Sequence, residues 1–124
     1  MIAGTGVDIV EVARLTKSLE RPGFLEKVFS IDEINYCHSK AKPPEHFAGR
    51  FAAKEALAKA VGDGWYGQVD INKIEVINDD KGKPEYRWGP EVLARYPQLA
   101  TLKIHLSISH CHSYAVAMAV LEKI

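Results

Sequence analysis

The spacing of apolar positions changes character along this chain, from mostly helical in the first half to alternating in the second. Residues 2 to 10 read as a strand of small and β-branched residues, with Gly4 and Gly6 permitting close backbone approach. Val12, Leu15 and Leu19 then recur at spacings of three and four. They predict a helix from Glu11 to Glu20 that Arg21-Pro22-Gly23 ends. A short helical turn over Phe24–Val28 follows. Ser30 with Glu33 three positions later is a capping-box pattern and starts a helix running to about Ser39. Pro43-Pro44 suits the first turn of the next helix, where a missing N–H costs nothing. That helix is expected from about Pro44 to Val61, with Phe47, Phe51, Leu57 and Ala58 as buried anchors and Gly62 as its stop. Residues 62–67 are glycine-rich and read as a loop.

Beyond this loop Ile71 to Ile77 alternates apolar and polar residues, Asp79 to Pro84 reads as a hairpin turn, and Glu85 to Trp88 as its return strand. A short helix is expected from Glu91 to Tyr96, between Pro90 and Pro97. Two strands, Lys103–Ser109 and Tyr114–Leu121, flank the turn His110-Cys111-His112-Ser113. Helices first and hairpin-connected strands later predict an α+β fold, helices packed on a small, mainly antiparallel sheet. The apolar residues of the last two strands (Ile104, Leu106, Ile108, Val116, Met118, Val120) suit either a core or an interface.

Composition narrows the class. With 124 residues the chain is expected to form one domain, and 47% apolar and 26% charged residues are ordinary for a globular protein. A formal net charge of zero supplies no bulk attraction to nucleic acid or to a membrane surface. Cys37 and Cys111 are too few for a disulfide framework and read as reduced thiols of a cytosolic protein. The first residues lack a basic region and a long apolar stretch, so no secretory signal is expected. No apolar run approaches the ~20 residues of a membrane span. A cytoplasmic protein is expected.

Two carboxylates stand in apolar surroundings. Asp8 lies in Gly6-Val7-Asp8-Ile9-Val10, where a strand would bury the neighbours and turn Asp8 the other way. Taken alone it reads as a solvent-facing aspartate. At ~100° per residue, Phe51, Glu55 and Lys59 share one helix face, which alone reads as a surface i,i+4 ion pair. Together, Asp8 and Glu55 are what Mg²⁺ requires, since it takes one or two protein carboxylates and completes its octahedron with water and phosphate oxygens. Lys59 would add positive charge beside a bound phosphate. His110 stands at the end of a strand, as a functional or a structural histidine. Neither Cys37-His38 nor His110-Cys111-His112 has the spacing of a zinc site, and no G-x-S-x-G elbow accompanies Ser109-His110. Arg14, Lys17 and Arg21 form a basic stripe if the first helix reaches Arg21. The stripe would dock an acidic partner, and no recognition motif for nucleic acid accompanies it.

Four segments in order carry a resemblance that spans essentially the whole chain. They are Gly6-Val7-Asp8-Ile9-Val10 leading to Arg14, Phe47-Ala48-Gly49-Arg50-Phe51-Ala52-Ala53-Lys54-Glu55-Ala56, Gly82-Lys83-Pro84, and His105-Leu106-Ser107-Ile108-Ser109-His110 followed by Tyr114-Ala115-Val116-Ala117. In these the chain resembles the small stand-alone 4′-phosphopantetheinyl transferases, the holo-acyl-carrier-protein synthase family. The resemblance implies transfer of the phosphopantetheine arm of coenzyme A to a serine of apo acyl carrier protein, in fatty acid biosynthesis, with adenosine 3′,5′-bisphosphate released. It implies Asp8 and Glu55 as Mg²⁺ ligands and Lys59 as the cation near the pyrophosphate; on the chemistry of the residues, Glu55 or a metal-bound water it holds is the nearest candidate base. It further implies Arg50, Pro84 and His110 at the coenzyme, Arg14 and Arg21 at the acidic carrier protein, and a homotrimer with active sites between subunits. On the residues alone, two other readings stand beside it: a metal-dependent phosphatase using Asp8 and Glu55, and a binding module without turnover.

Overall fold

The computed structural model describes residues 1–62 and 69–124, so the expected loop lies outside them beyond Gly62. The chain runs β1 (Ile2–Glu11), α1 (Val12–Leu19), α2 (Phe24–Val28), α3 (Ile31–His38) and α4 (Pro43–Val61). A 3-10 turn (Ile71–Lys73), β2 (Glu75–Asn78), β3 (Pro84–Arg87), α5 (Pro90–Arg95), a second 3-10 turn (Pro97–Thr101), β4 (Leu102–His110) and β5 (Tyr114–Lys123) complete it. One antiparallel sheet has the order β1-β5-β4; β2 and β3 form a separate hairpin. The α+β architecture is the expected one. No described helix is long and apolar enough to cross a membrane.

Helix α4 is the centre of the fold. Ala52, Ala53, Ala56 and Leu57 are fully buried, and the helix packs across β1, β5 and β4. The small side chains let the sheet come close, and Gly4 and Gly6 bring it closer. A Cβ on Gly6 would lie 2.8 Å from the Ala60 amide nitrogen and 3.0 Å from the Ala56 carbonyl carbon, with the Ala56 oxygen nearer still. Backbone here cannot yield as a side chain does. Gly6→Ala is therefore expected to destabilise the fold by at least about 2 kcal/mol, read as a lower urea midpoint.

The close contact reverses one expectation. Asp8 shares the α4-facing side of β1 with Gly4 and Gly6, while Val7 and Ile9 face outward at 54% and 65% exposure. On β5 the inward set is Ala115, Ala117, Ala119 and Leu121, and Val116 and Met118 face out. Val7 pairs with Met118 and Ile9 with Val116, so these four form one apolar patch on the outer face of the sheet. Ile104, Leu106 and Ile108 turn inward and pack in the main core. The expected strand over residues 71–77 is also corrected. Its first part is the 3-10 turn, and pairing begins only at Glu75. The spacing of Ile71, Ile74 and Val76 is three and then two, a helical step before an alternating one.

One buried ion pair ties the helices together. Lys54 Nζ is 2.7 Å from Glu33 Oε1 and also donates to the carbonyls of Val28 (2.8 Å) and Ile71 (3.2 Å). Glu33 accepts from the Ser30 amide through Oε1 and from the Val76 amide through Oε2. Its capping box with Ser30 is formed as the sequence predicts. Burial holds the Lys54 ammonium below the ordinary lysine range, against the charge of Glu33. Cys37, buried beside this network, has its thiol pushed up to about 12 by burial and is inert; both cysteines are free.

Candidate active site

Two clusters form at different places on α4. The first joins α4 to β1. Lys59 Nζ is 3.1 Å from Asp8 Oδ1 and donates to the Val7 carbonyl at 3.0 Å. Glu55 lies one turn earlier on the helix, half-buried. Its burial, and then the charge of Asp8, raise its carboxyl above the usual carboxylate range, while Lys59 partly offsets them. Two carboxylates thus repel each other across a helix–strand contact, and one ammonium, bonded to Asp8, partly offsets the repulsion. A hard divalent cation relieves such a repulsion, and the donor set fits one that takes two protein oxygens. No group of three or more histidine, cysteine, aspartate and glutamate side chains suited to a metal is found among the described residues.

The second cluster lines a hollow of about 200 Å³ bounded by Tyr36, His46, Arg50, Asn78, Pro84 and His110. Arg50 is 5% exposed, its guanidinium lies 3.8 Å from the Tyr36 ring centroid, and Nη2 donates to Asn78 Oδ1 at 2.6 Å. His110 Nδ1 is 3.0 Å from Glu45 Oε1, and the His46 ring meets that of His110 edge-on at 4.9 Å. Burial, and then His110, hold His46 below the ordinary imidazole range. Arginine and two histidines around a small hollow suit an anion.

The expected coenzyme set is therefore divided. Arg50, Pro84 and His110 come together, but Lys59 belongs with Asp8. Arg50 and Glu55 are five positions apart, about 140° around the helix, so the two clusters face different ways. Sequence reasoning missed His46, Tyr36 and Asn78. His46 had a readable signal, since it stands one turn before Arg50. Tyr36 and Asn78 had none, because each arrives from a distant element.

A model of the 4′-phosphopantetheinyl transferase superfamily matches residues 4–119. The chain belongs to this superfamily. Among curated relatives, the holo-[acyl-carrier-protein] synthase of Koribacter versatilis is 44% identical over 124 residues, covering 98% of this chain and 99% of that one. The crystal structure of the Neisseria meningitidis holo-[acyl-carrier-protein] synthase superposes with a TM-score of 0.87 at 34% identity, over 99% of this chain and 100% of that one. A second, from Bacillus anthracis in complex with CoA (3′,5′-ADP), gives 0.82 at 40% identity, over 100% and 99% of the two chains.

In this phosphopantetheinyl transferase the basic stripe is shorter than expected. Arg14 and Lys17 are exposed on α1, three residues apart on one face. The helix ends at Leu19, so Arg21 falls in the following turn, where its guanidinium lies over the Phe24 ring at 5.2 Å. The stripe is a pair. Lys17 also lines a wide groove of about 900 Å³ between α1, the start of α4 and the β4–β5 turn.

Proposed function

We propose that this chain is a holo-acyl-carrier-protein synthase, transferring the 4′-phosphopantetheine arm of coenzyme A to a serine hydroxyl of apo acyl carrier protein and releasing adenosine 3′,5′-bisphosphate. The observation that carries the reading is the convergence of Asp8, Glu55 and Lys59, in a chain so similar over its length to proteins of that name. Attack on the β-phosphorus builds charge on the phosphate oxygens. Lys59, held at the rim by Asp8 and the Val7 carbonyl, places an ammonium where that charge develops. Glu55, whose affinity for a proton is raised, is suited to accept the one the serine loses. Mg²⁺ held by Asp8 and Glu55 would neutralise pyrophosphate charge. Arg50, His110 and Pro84 would receive the anionic remainder of coenzyme A in the second hollow.

Two further parts belong to the proposal. The apolar patch of Val7, Ile9, Val116 and Met118 fits burial in a homotrimer, in which the hollow of one copy meets the carboxylate cluster of the next. This would unite clusters that face apart within one chain. Light scattering is expected to give three times the 13.8 kDa chain mass. The whole chain would act as a single domain in the cytoplasm, supplying holo carrier protein for fatty acid biosynthesis.

Incubation with coenzyme A, Mg²⁺ and an apo acyl carrier protein is expected to add one phosphopantetheinyl group to the carrier by intact mass, and EDTA is expected to prevent it. No mass gain across several carrier proteins would overturn the reading. Docking is tested separately. Arg14→Glu is expected to raise KM for the acidic carrier protein about tenfold and to leave KM for coenzyme A unchanged, with equal effects on both removing α1 from the docking surface.

A further inference from the structure

A buried arginine needs partners for its donors and a means of staying in place. Arg50 has one hydrogen bond recorded among the described residues, to Asn78, and its Nε is buried with no partner among them. Burying a guanidinium with one donor unmet and its charge uncompensated is costly unless an anion arrives beside it. Its surroundings hold it without neutralising it. Asn78 offers a neutral oxygen, and the Tyr36 ring offers a π-face 3.8 Å away.

Those two partners are themselves fixed. Asn78 Nδ2 donates to the Gly82 carbonyl at 2.9 Å, inside the β2–β3 turn, where Gly82 takes φ +86°. The hairpin is pinned to α4 in turn, because the Tyr86 hydroxyl donates to the Ala53 carbonyl at 2.6 Å. Tyr36 is held at its other contacts by Lys40, 4.7 Å from the ring centroid, and by the edge of His46. One residue thus comes from α3 and one from the hairpin, and both converge on a guanidinium that lines the hollow.

We propose that Tyr36 and Asn78 are positioning residues for coenzyme A, holding the Arg50 guanidinium in one plane and leaving its charge uncompensated so that it receives an anionic group of the substrate. The inference rests on the coenzyme reading of this hollow given above. The choice of asparagine is the essential point. An aspartate at this position would make the same hydrogen bond more strongly, and would spend on Arg50 the charge that the substrate needs.

The experiment compares steady-state transfer, coenzyme A affinity by calorimetry and melting temperature across a small set. Asn78→Asp gains an ion pair with Arg50 but loses the donor to the Gly82 carbonyl, so its melting temperature is expected to stay within a few degrees of wild type, and its KM for coenzyme A to rise about tenfold. Its kcat is expected to stay within about twofold and KM for the carrier protein to stay the same. Tyr36→Leu is expected to raise KM for coenzyme A about fivefold, and Tyr36→Phe, which keeps the ring, to restore it. In an Arg50→Ala background, Asn78→Asp is expected to change nothing further, because the residue acts through Arg50. An unchanged coenzyme A KM in Asn78→Asp would overturn the proposal. So would an equal rise in the Arg50→Ala background, which would mean simple charge repulsion of the substrate. Failure of the wild-type protein to transfer would instead sink the transferase reading, and the calorimetric coenzyme A affinities of the same variants would still decide the positioning role. Wild-type protein with no coenzyme A affinity would overturn both.

Discussion

Glu55→Gln is expected to lower transfer by at least about 100-fold while raising the melting temperature of the metal-free protein at neutral pH. The two effects have one cause. Burial and the Asp8 charge raise the Glu55 carboxyl above its unfolded value, so ionising it works against the folded chain. A group raised in this way supports the fold at low pH, and that support is lost as pH rises through its folded value. The amide does not ionise, and so keeps the folded chain free of that penalty at neutral pH. The stability gap between variant and wild type should therefore close as the pH is taken down toward about 4, the ordinary glutamate range. Mg²⁺ should raise the melting temperature of the wild type more than that of the variant, since a ligand that binds the folded chain stabilises it by mass action. Thermal melts at several pH values, with and without Mg²⁺, beside the mass-based transfer assay, check each part. Turnover within about threefold of wild type would remove Glu55 from the chemistry. Asp8→Ala is expected to abolish transfer as well.

Lys54→Met is expected to cost about 3–5 kcal/mol, a large share of the roughly 5–15 kcal/mol typical of a domain. The methionine fills much of the lysine volume, so the loss comes from charge rather than from a cavity. It leaves the Glu33 carboxylate fully buried with two amide donors and no cation, and leaves the carbonyls of Val28 and Ile71 without the donor they share. Adding Glu33→Gln should recover part of the loss, because it removes the buried uncompensated charge, although its single amide oxygen can accept from only one of the Ser30 and Val76 amides that the two carboxylate oxygens now serve. Urea unfolding of the single and double variants measures both. A single variant as stable as wild type would show that the pair is dispensable. The network lies on the side of α4 that meets α2, α3 and β2, so kcat below the variant's melting transition is expected to stay close to wild type.

These two sites mark the limits of what could be read beforehand. The Ser30–Glu33 capping box was legible because it is local: three residues of spacing fix both hydrogen bonds. The second duty of the same carboxylate, toward Lys54, was not. A lysine in an alanine-rich helix next to a glutamate has the texture of a solvated face, and only the arrival of α3 and β2 closes it over. The helices, the hairpin turn and the final strand pair followed from periodicity and from glycine and proline placement. The facing of β1 did not. Glycine occupies its inner positions and valine and isoleucine its outer ones, so apolar alternation points to the wrong side when the helix rests on backbone rather than on side chains. Asp8, Glu55 and Lys59 were named from the sequence and do converge. The Arg50 hollow was named only in part, since Asn78 and Tyr36 reach it through tertiary contacts from elements far along the chain.

The glycine contact between β1 and α4 also bears on how this site ages in evolution. Because main chain rests on main chain at Gly4 and Gly6, the gap between the strand bearing Asp8 and the helix bearing Glu55 is set by peptide dimensions and not by the bulk of any residue in between. Substitutions elsewhere in the core can drift, swelling or shrinking the space around Leu57, Ile74 or Leu106, with little leverage on that spacing. Two glycines act as a fixed gauge for the pair of carboxylates.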